Sequence, residues 1–317
     1  MLTNTSSDRV RRVRRLARRT TRLETGLLLV EGPQACREAA LSGHVLDLYL
    51  TPDAVRRFPE LTDAAQAHGG HAHEASPAYV QAISPDAQGV AAVARNPWAG
   101  LDIAAALVTG WVDAAQDLGP VEADAAAGTR GTSAASAPGQ PGMARRDHSQ
   151  PAAWEDQARR RAPLVAVFEQ LRDPGNAGNA IRAADAAGAD LVAFADQSAD
   201  PTSPKVVRAS AGSYFHLPTV SVAEIGQAVA ALRDAGLSVF AADGRGERLL
   251  GGAELPIGGA ALAGPVAWLF GNEARGLSDA ARSASDVTVR IPIFGRAESI
   301  NVATAAALCL YASAHHA

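Results

Sequence analysis

Asp173-Pro-Gly-Asn-Ala-Gly-Asn-Ala-Ile-Arg182 follows the apolar run Leu164–Leu171. The run predicts a buried strand, and Ala177–Ala187 predicts the helix that follows it. The turn between them is rich in Gly and Asn, with Asn176 suited to capping the helix. Two later stretches share this design. Leu269-Phe-Gly-Asn-Glu-Ala-Arg-Gly-Leu277 continues the strand Val266–Phe270, and Ile291-Pro-Ile-Phe-Gly-Arg-Ala-Glu-Ser-Ile-Asn301 follows the strand Val287–Ile291 and leads into a closing helix, Asn301–Ser313. A lone turn of this kind is helix punctuation. Three of them, each with its own polar residues, point to a site.

Working outward, strands and helices alternate. Strands are predicted at Leu191–Ala195 and Leu237–Ala242, with His216–Val220 extended. Helices are predicted at Ser203–Ala211, Ala223–Ala235 and Ser278–Ser283. This alternation implies a mostly parallel sheet covered on both faces. Upstream, strands at Leu27–Val30, Val45–Leu50 and Val90–Ala94 interleave with helices and form a smaller α/β unit. The expected division is residues 1–100, a low-complexity linker or insertion at 101–160, and residues 161–317. Residues 125–141 are nearly all Ala, Gly, Ser, Thr and Pro, a composition that buries too little surface to offset its ordering entropy. A helical fringe is expected around Ile103–Ala115.

The net charge of −4 over 317 residues argues against a uniformly basic nucleic-acid binder. Local potential matters more than the sum. The basic residues are almost all Arg, with Lys205 the lone lysine. Residues 8–22 read as one arginine-rich helix, with Val10, Val13 and Leu16 at three-residue spacing. Arg11, Arg12, Arg15, Arg19 and Arg22 are the candidate RNA-phosphate contacts. No apolar run approaches the length of a membrane span, and a cytoplasmic location is expected. Cys36 and Cys309 form no disulfide framework. His68, His71 and His73 lack an acidic or thiol partner that would complete a metal set, so no metal is expected.

Two common nucleotide sites are excluded. Gly175-Asn-Ala-Gly178 lacks the G-x-G-x-x-G spacing of a dinucleotide fold, and no Gly-Lys-Ser/Thr occurs for a P-loop.

In order and spacing the three stretches resemble the motifs of the SpoU (TrmH-like) family of RNA ribose 2'-O-methyltransferases, within the SPOUT superfamily. The resemblance implies a SPOUT domain with a mostly parallel sheet and a trefoil knot, behind a small L30e-like α/β substrate-binding domain. It implies S-adenosyl-L-methionine as cofactor, RNA as substrate and a homodimer. The L30e-like pairing favours 23S ribosomal RNA over transfer RNA. By the same resemblance Asn176, Arg182, Glu273, Ser299 and Asn301 are the catalytic candidates, with Arg182 at the ribose hydroxyl and Glu273 organising the loops. Gly271, Ile291, Ile300, Leu269 and Asn272 are the cofactor-binding candidates. Ala274 stands where many relatives carry a second Gly, and Ile300 where Leu is commoner. Taken alone, Ser299 reads as the cap of the last helix. The rival readings are a non-catalytic RNA-binding relative and an enzyme of this fold acting on a base.

Overall fold

A computed structural model describes residues 1–116, 162–272 and 274–314. Most of the expected low-complexity insertion, residues 117–161, and Glu273 lie outside the described residues.

The apolar runs around the three stretches become adjacent strands. β5 (Leu164–Glu169), β6 (Leu191–Ala195), β7 (Thr219–Val222), β8 (Ser238–Ala242), β9 (Arg248–Leu249), β10 (Val266–Phe270) and β11 (Val287–Arg290) form a seven-stranded sheet. Its order is β7-β6-β5-β10-β8-β11-β9, and every pairing is parallel. Helices cover both faces, as the continuous apolar strands require. On one face Phe168 stacks on Phe194 and Phe270, at centroid separations of 5.6 and 5.1 Å. α8 (Pro174–Ala186) and α13 (Val302–Ala314) pack there, through Ile181, Ala184, Ala306 and Leu310. On the other face lie α10 (Ile225–Asp234), α12 (Asp279–Ala284) and the start of α7 (Ile103–Gln116), through Leu232, Ala281, Ile103 and Leu107. The first turns of α7 are thus part of the sheet's core, although the sequence placed them in the insertion.

Four strands build the N-terminal unit: β1 (Leu27–Glu31), β2 (Val45–Leu50), β3 (His71–Glu74) and β4 (Val90–Arg95). Their order is β1-β4-β2-β3. β4 runs antiparallel to both neighbours, and β2 pairs β3 in parallel. Its core is continuous with that of the large sheet, since Leu28, Val30 and Trp98 share a cluster with Phe168, Tyr214 and Phe215. Polar contacts reinforce the junction. Trp98 Nε1 donates to the Tyr214 carbonyl at 2.7 Å, and Tyr214 Oη donates to Asn96 Oδ1 at 2.8 Å. Arg208 Nη1 pairs with Glu31 at 2.7 Å and Asp86 at 2.9 Å.

The arginine-rich start is two helices, α1 (Asp8–Arg15) and α2 (Arg19–Thr25), where the periodicity predicted one. The break has a physical cause. Arg22 turns inward, only 5% exposed. Its Nη1 donates to the Leu16 carbonyl at 2.7 Å, satisfying a carbonyl at the end of α1. Nη2 pairs with Asp200 at 2.5 Å, and Nε donates to Thr202 Oγ1 at 2.9 Å. Arg22 therefore ties the N-terminus to the loop after β6 and is removed from the RNA-facing candidates. Arg11, Arg12, Arg15 and Arg19 remain exposed. Arg11 pairs with Asp8, and Arg19 lies 3.8 Å from Asp200.

Candidate active site at a switch point of the parallel sheet

β5 and β10 are neighbours from which the chain departs in opposite directions, through β6 on one side and beside β8 on the other. In open parallel sheets ligands bind beyond the strand ends at such a switch point. Phe270 is level with Phe168 on β5 and with Ala242 on β8. The loops after these three strands therefore emerge side by side.

The loop after β10 is tight. Asn272 N donates to the Gly276 carbonyl at 3.1 Å, and Gly276 N donates back at 2.7 Å. A Cβ placed on Gly271 would lie 2.2 Å from the Gly276 carbonyl carbon and the Leu277 nitrogen. No side chain fits between these backbones, so residue 271 offers bare main chain. Asn272 fastens this loop to the chain just after β5, its Nδ2 donating to the Gln170 carbonyl at 2.9 Å. Its Oδ1 accepts from Ala274 N at 2.9 Å. Glu169, 3% exposed at the end of β5, accepts from Ser278 N at 2.8 Å and holds the far side of the loop. Sequence reading absorbed Glu169 into a strand. A carboxylate ending an apolar run was the available signal.

The first stretch starts its helix earlier than predicted. Pro174 occupies the first turn, and Asp173 Oδ1 accepts from Asn176 N at 2.7 Å. Asp173 is therefore the cap in place of Asn176. Gly178 lies inside α8, within the span Ala177–Ala187 predicted as helix. Its missing side chain admits α9 (Pro204–Ala209), because a Cβ there would stand 2.4 Å from Ala209 Cβ.

The third stretch ends in a second reassignment. α13 begins at Val302, and Asn301 caps it, its Oδ1 accepting from Ala303 N at 2.9 Å and Thr304 N at 3.4 Å. Ser299 is thus not the cap. Asn301 also reaches the first stretch, its Nδ2 donating to Asn176 Oδ1 at 2.9 Å.

A cavity of about 300 Å³ opens beside these loops. Its apolar lining includes Phe270, Ile291, Ile293, Ile300 and Val302, and its polar lining includes Asp243, Arg245, Asn272, Arg275, Glu298 and Ser299. Gly271 contributes backbone. Four of the five cofactor candidates, Gly271, Asn272, Ile291 and Ile300, therefore meet here. The fifth, Leu269, does not. Alternation along β10 turns it, fully buried, into the opposite core with Leu277 and Ala281, while Phe270 faces the cavity. Of the catalytic candidates Ser299 lines the cavity, and Asn176 and Asn301 hydrogen bond to each other, Asn301 adjoining the lining residues Ile300 and Val302. Arg182 is exposed on α8, away from the lining, and makes no ion pair with a described residue.

Asp243 was missed because it sits in a loop with no motif. Its side chain is 6% exposed, and Oδ2 accepts from Arg282 Nη1 at 3.2 Å. Arg282 also donates to the Leu277 carbonyl at 2.5 Å and pairs with Asp279. That arginine links the loops after β8 and β10. Hydrogen bonding to Asp279 and Asp243 raises its pKa further, so it stays cationic.

Residues 163–311 match the family described as SpoU rRNA Methylase. Among curated proteins, this chain is similar to the 23S rRNA (guanosine(2553)-2'-O)-methyltransferase RlmP of Bacillus subtilis, 37% identical over 47% of this chain and 57% of that protein. It is also similar to a 23S rRNA (uridine(2479)-2'-O)-methyltransferase of Streptomyces viridochromogenes, 40% identical over 47% of this chain and 51% of that one. The matched region thus spans a little over half the length of these relatives. Two solved structures align along nearly the whole chain. One is an RNA 2'-O ribose methyltransferase at 26% identity and TM-score 0.66, covering 98% of this chain and 97% of that one. The other is the SpoU methyltransferase AviRb of Streptomyces viridochromogenes in complex with AdoMet, at 27% identity and TM-score 0.66, covering 97% and 98%. With the sheet order, the three joined loops and this match, the unit formed by residues 163–311 belongs to the SpoU rRNA methylase family.

Proposed function

We propose that this chain is an S-adenosylmethionine-dependent RNA ribose 2'-O-methyltransferase whose substrate is 23S ribosomal RNA. One observation carries the reading. The Asn176–Asn301 hydrogen bond joins the first and third stretches beside a cavity backed by the bare main chain of Gly271. The names of the similar proteins support the choice of reaction and RNA.

The cavity fits the cofactor. Its isoleucines offer apolar area for an adenine ring, and the main chain around Gly271 offers donors and acceptors at close range. The lining balances the carboxylates of Asp243 and Glu298 against Arg245 and Arg275, with Asp243 itself paired to Arg282. When bound, the cofactor supplies an electrophilic methyl group. Everything else falls to the chain. Asn176 and Asn301 fix each other's amides, and Ser299 presents a hydroxyl from the cavity wall. Arg182, exposed on α8, is assigned by the motif resemblance to the RNA ribose hydroxyl, where its cation would stabilise the developing alkoxide. A guanidinium is a poor base, so its contribution is charge and orientation.

The trefoil knot, the homodimer and a cytoplasmic location complete the proposal. The return of α13 against α8 and β10, after a strand order that inserts β10 between β5 and β8, supports the first. Among the described residues no helix is long and apolar enough to cross a membrane. The N-terminal unit, with the exposed Arg11, Arg12, Arg15 and Arg19, is assigned to binding RNA. The test is methyl transfer from labelled S-adenosylmethionine to unmethylated 23S rRNA, followed by nuclease digestion and mass spectrometry. A 2'-O-methylated nucleotide is expected. A methylated base, or no product with cofactor bound, would overturn the reading.

A further inference from the structure

Phe294 is 96% exposed. Its exposure is unusual in a chain where only 5% of residues are aromatic. Tyr311 is also exposed, but its hydroxyl is tied to the Ala186 carbonyl at 3.0 Å. Phe294 stands between two groups of cavity-lining residues, Ile293 before it and Glu298, Ser299 and Ile300 after it. Arg296 follows two residues later and is exposed, and Arg245 and Arg275 line the same cavity.

We propose that Phe294 stacks on an unpaired base of the RNA substrate, next to the ribose presented to the cavity. The proposal rests on the ribose-methylation reading and adds a positioning residue to it. An exposed ring among guanidinium groups is the combination that holds single-stranded nucleic acid, because rings stack on bases while arginines meet phosphates. A contact to a second copy of this chain would want a wider apolar patch; Ile293 before Phe294 is 40% exposed, but the residues that follow are Gly, Arg, Ala, Glu and Ser. Drawing a base out of helical stacking frees its ribose to enter a pocket, and Phe294 would replace the lost stacking partner.

The experiment compares wild type with Phe294→Ala, Phe294→Leu and Phe294→Trp, using a 23S rRNA transcript for kinetics and calorimetry for S-adenosylmethionine. Ala and Leu are expected to lower kcat/KM for RNA by about five- to a hundredfold, the range of a lost base–aromatic stack. Cofactor affinity should stay unchanged, and Trp should keep the wild-type rate. The added tryptophan's fluorescence should be quenched by the transcript. Wild-type RNA kinetics in the Ala variant would overturn the proposal, as would Leu performing as well as Trp. So would a shift of the Ala variant to a smaller species in sedimentation, which would assign the ring to a contact between copies. If wild-type protein methylates no ribose, the enzymatic reading fails. If it does and all variants match it, only the role of Phe294 falls.

Discussion

Asn301 serves two partners through one amide, its oxygen capping α13 and its nitrogen reaching Asn176. The two roles separate by substitution. Asn301→Asp keeps a capping acceptor and loses the donor, so stability should hold while methyl transfer falls by about 10²-fold, the scale of a lost positioning group. Asn301→Ala should lose the rate and also about 0.5–2 kcal/mol of stability. Thermal melts beside kinetics decide, and an Asp variant with full activity would reduce Asn301 to a cap. Arg182 makes no ion pair with a described residue, so Arg182→Ala should leave folding and cofactor affinity alone. Turnover should vanish. Near-normal turnover in that variant would remove Arg182 from the reaction.

Helix pairs set the next scale. α8 and α9 approach so closely at Gly178 that a methyl group there meets Ala209 Cβ and the Ala209–Ser210 backbone. Gly178→Ala forces these helices apart and should cost about 1–3 kcal/mol, the range of an overpacked core. α8 also carries Asn176 and Arg182, so the rate should fall with the melting temperature. An unchanged melt would mean that the helices slide freely. At the N-terminus the break between α1 and α2 depends on Arg22. The side chains of Arg22 and Asp200 are 4% and 18% exposed. Removing the cation leaves a largely buried carboxylate with Arg19 at 3.8 Å as its remaining cation, and Arg22→Ala should cost about 3–5 kcal/mol. Denaturant melts check this. A loss under about 1 kcal/mol would return Arg22 to the solvated arm.

For the whole molecule, pH probes the junction between the two sheets. His216 Nδ1 contacts Asp185 at 2.9 Å, and Nε2 lies 3.6 Å from Glu38. The hydrogen bond to Asp185 and the charges of both acids raise its pKa against a smaller opposing effect of burial. A raised folded value means that its contribution is complete below the unfolded histidine value of about 6.5 and is lost as pH rises through the folded one. Wild type should thus exceed His216→Ala most below the unfolded histidine value, with the gap closing as pH rises through the raised folded one. Asp200 behaves oppositely. Burial pushes its pKa up, but hydrogen bonds from Thr202 and Arg22 outweigh that and hold it low. Its contribution is present above the unfolded carboxylate value and is lost as pH falls through the folded one. Acid melts of wild type and Arg22→Ala should converge. The exposed arginines act over a longer range. Neutralising Arg11, Arg12, Arg15 and Arg19 together should raise the RNA KM and flatten its salt dependence, since fewer counterions are released. The methylated nucleotide should not move. An unchanged slope in a salt series would place the phosphate contacts elsewhere.

Sequence alone determined the parallel α/β architecture, because strands covered on both faces must be apolar throughout, and Leu164–Glu169, Leu191–Ala195 and Val266–Phe270 are uninterrupted except for the terminal Glu169. It also located the three loops, because turns need Gly and Asn wherever the backbone lacks room for side chains, and Gly271 shows that lack directly. Tertiary structure decided which polar atom meets which. Asp173 and Asn301, not Asn176 and Ser299, became the caps because Pro174 and Val302 begin the helices. Arg22 looked like its exposed neighbours because a buried arginine differs from a solvated one only in the acid waiting for it. That acid, Asp200, is 178 residues away in sequence. Asp243 was invisible for the same reason, and Glu169 showed only as a carboxylate ending an apolar run, since their partners Arg282 and Ser278 are brought close by strand order alone. Local periodicity records which face of an element is buried, and carries no record of what it is buried against.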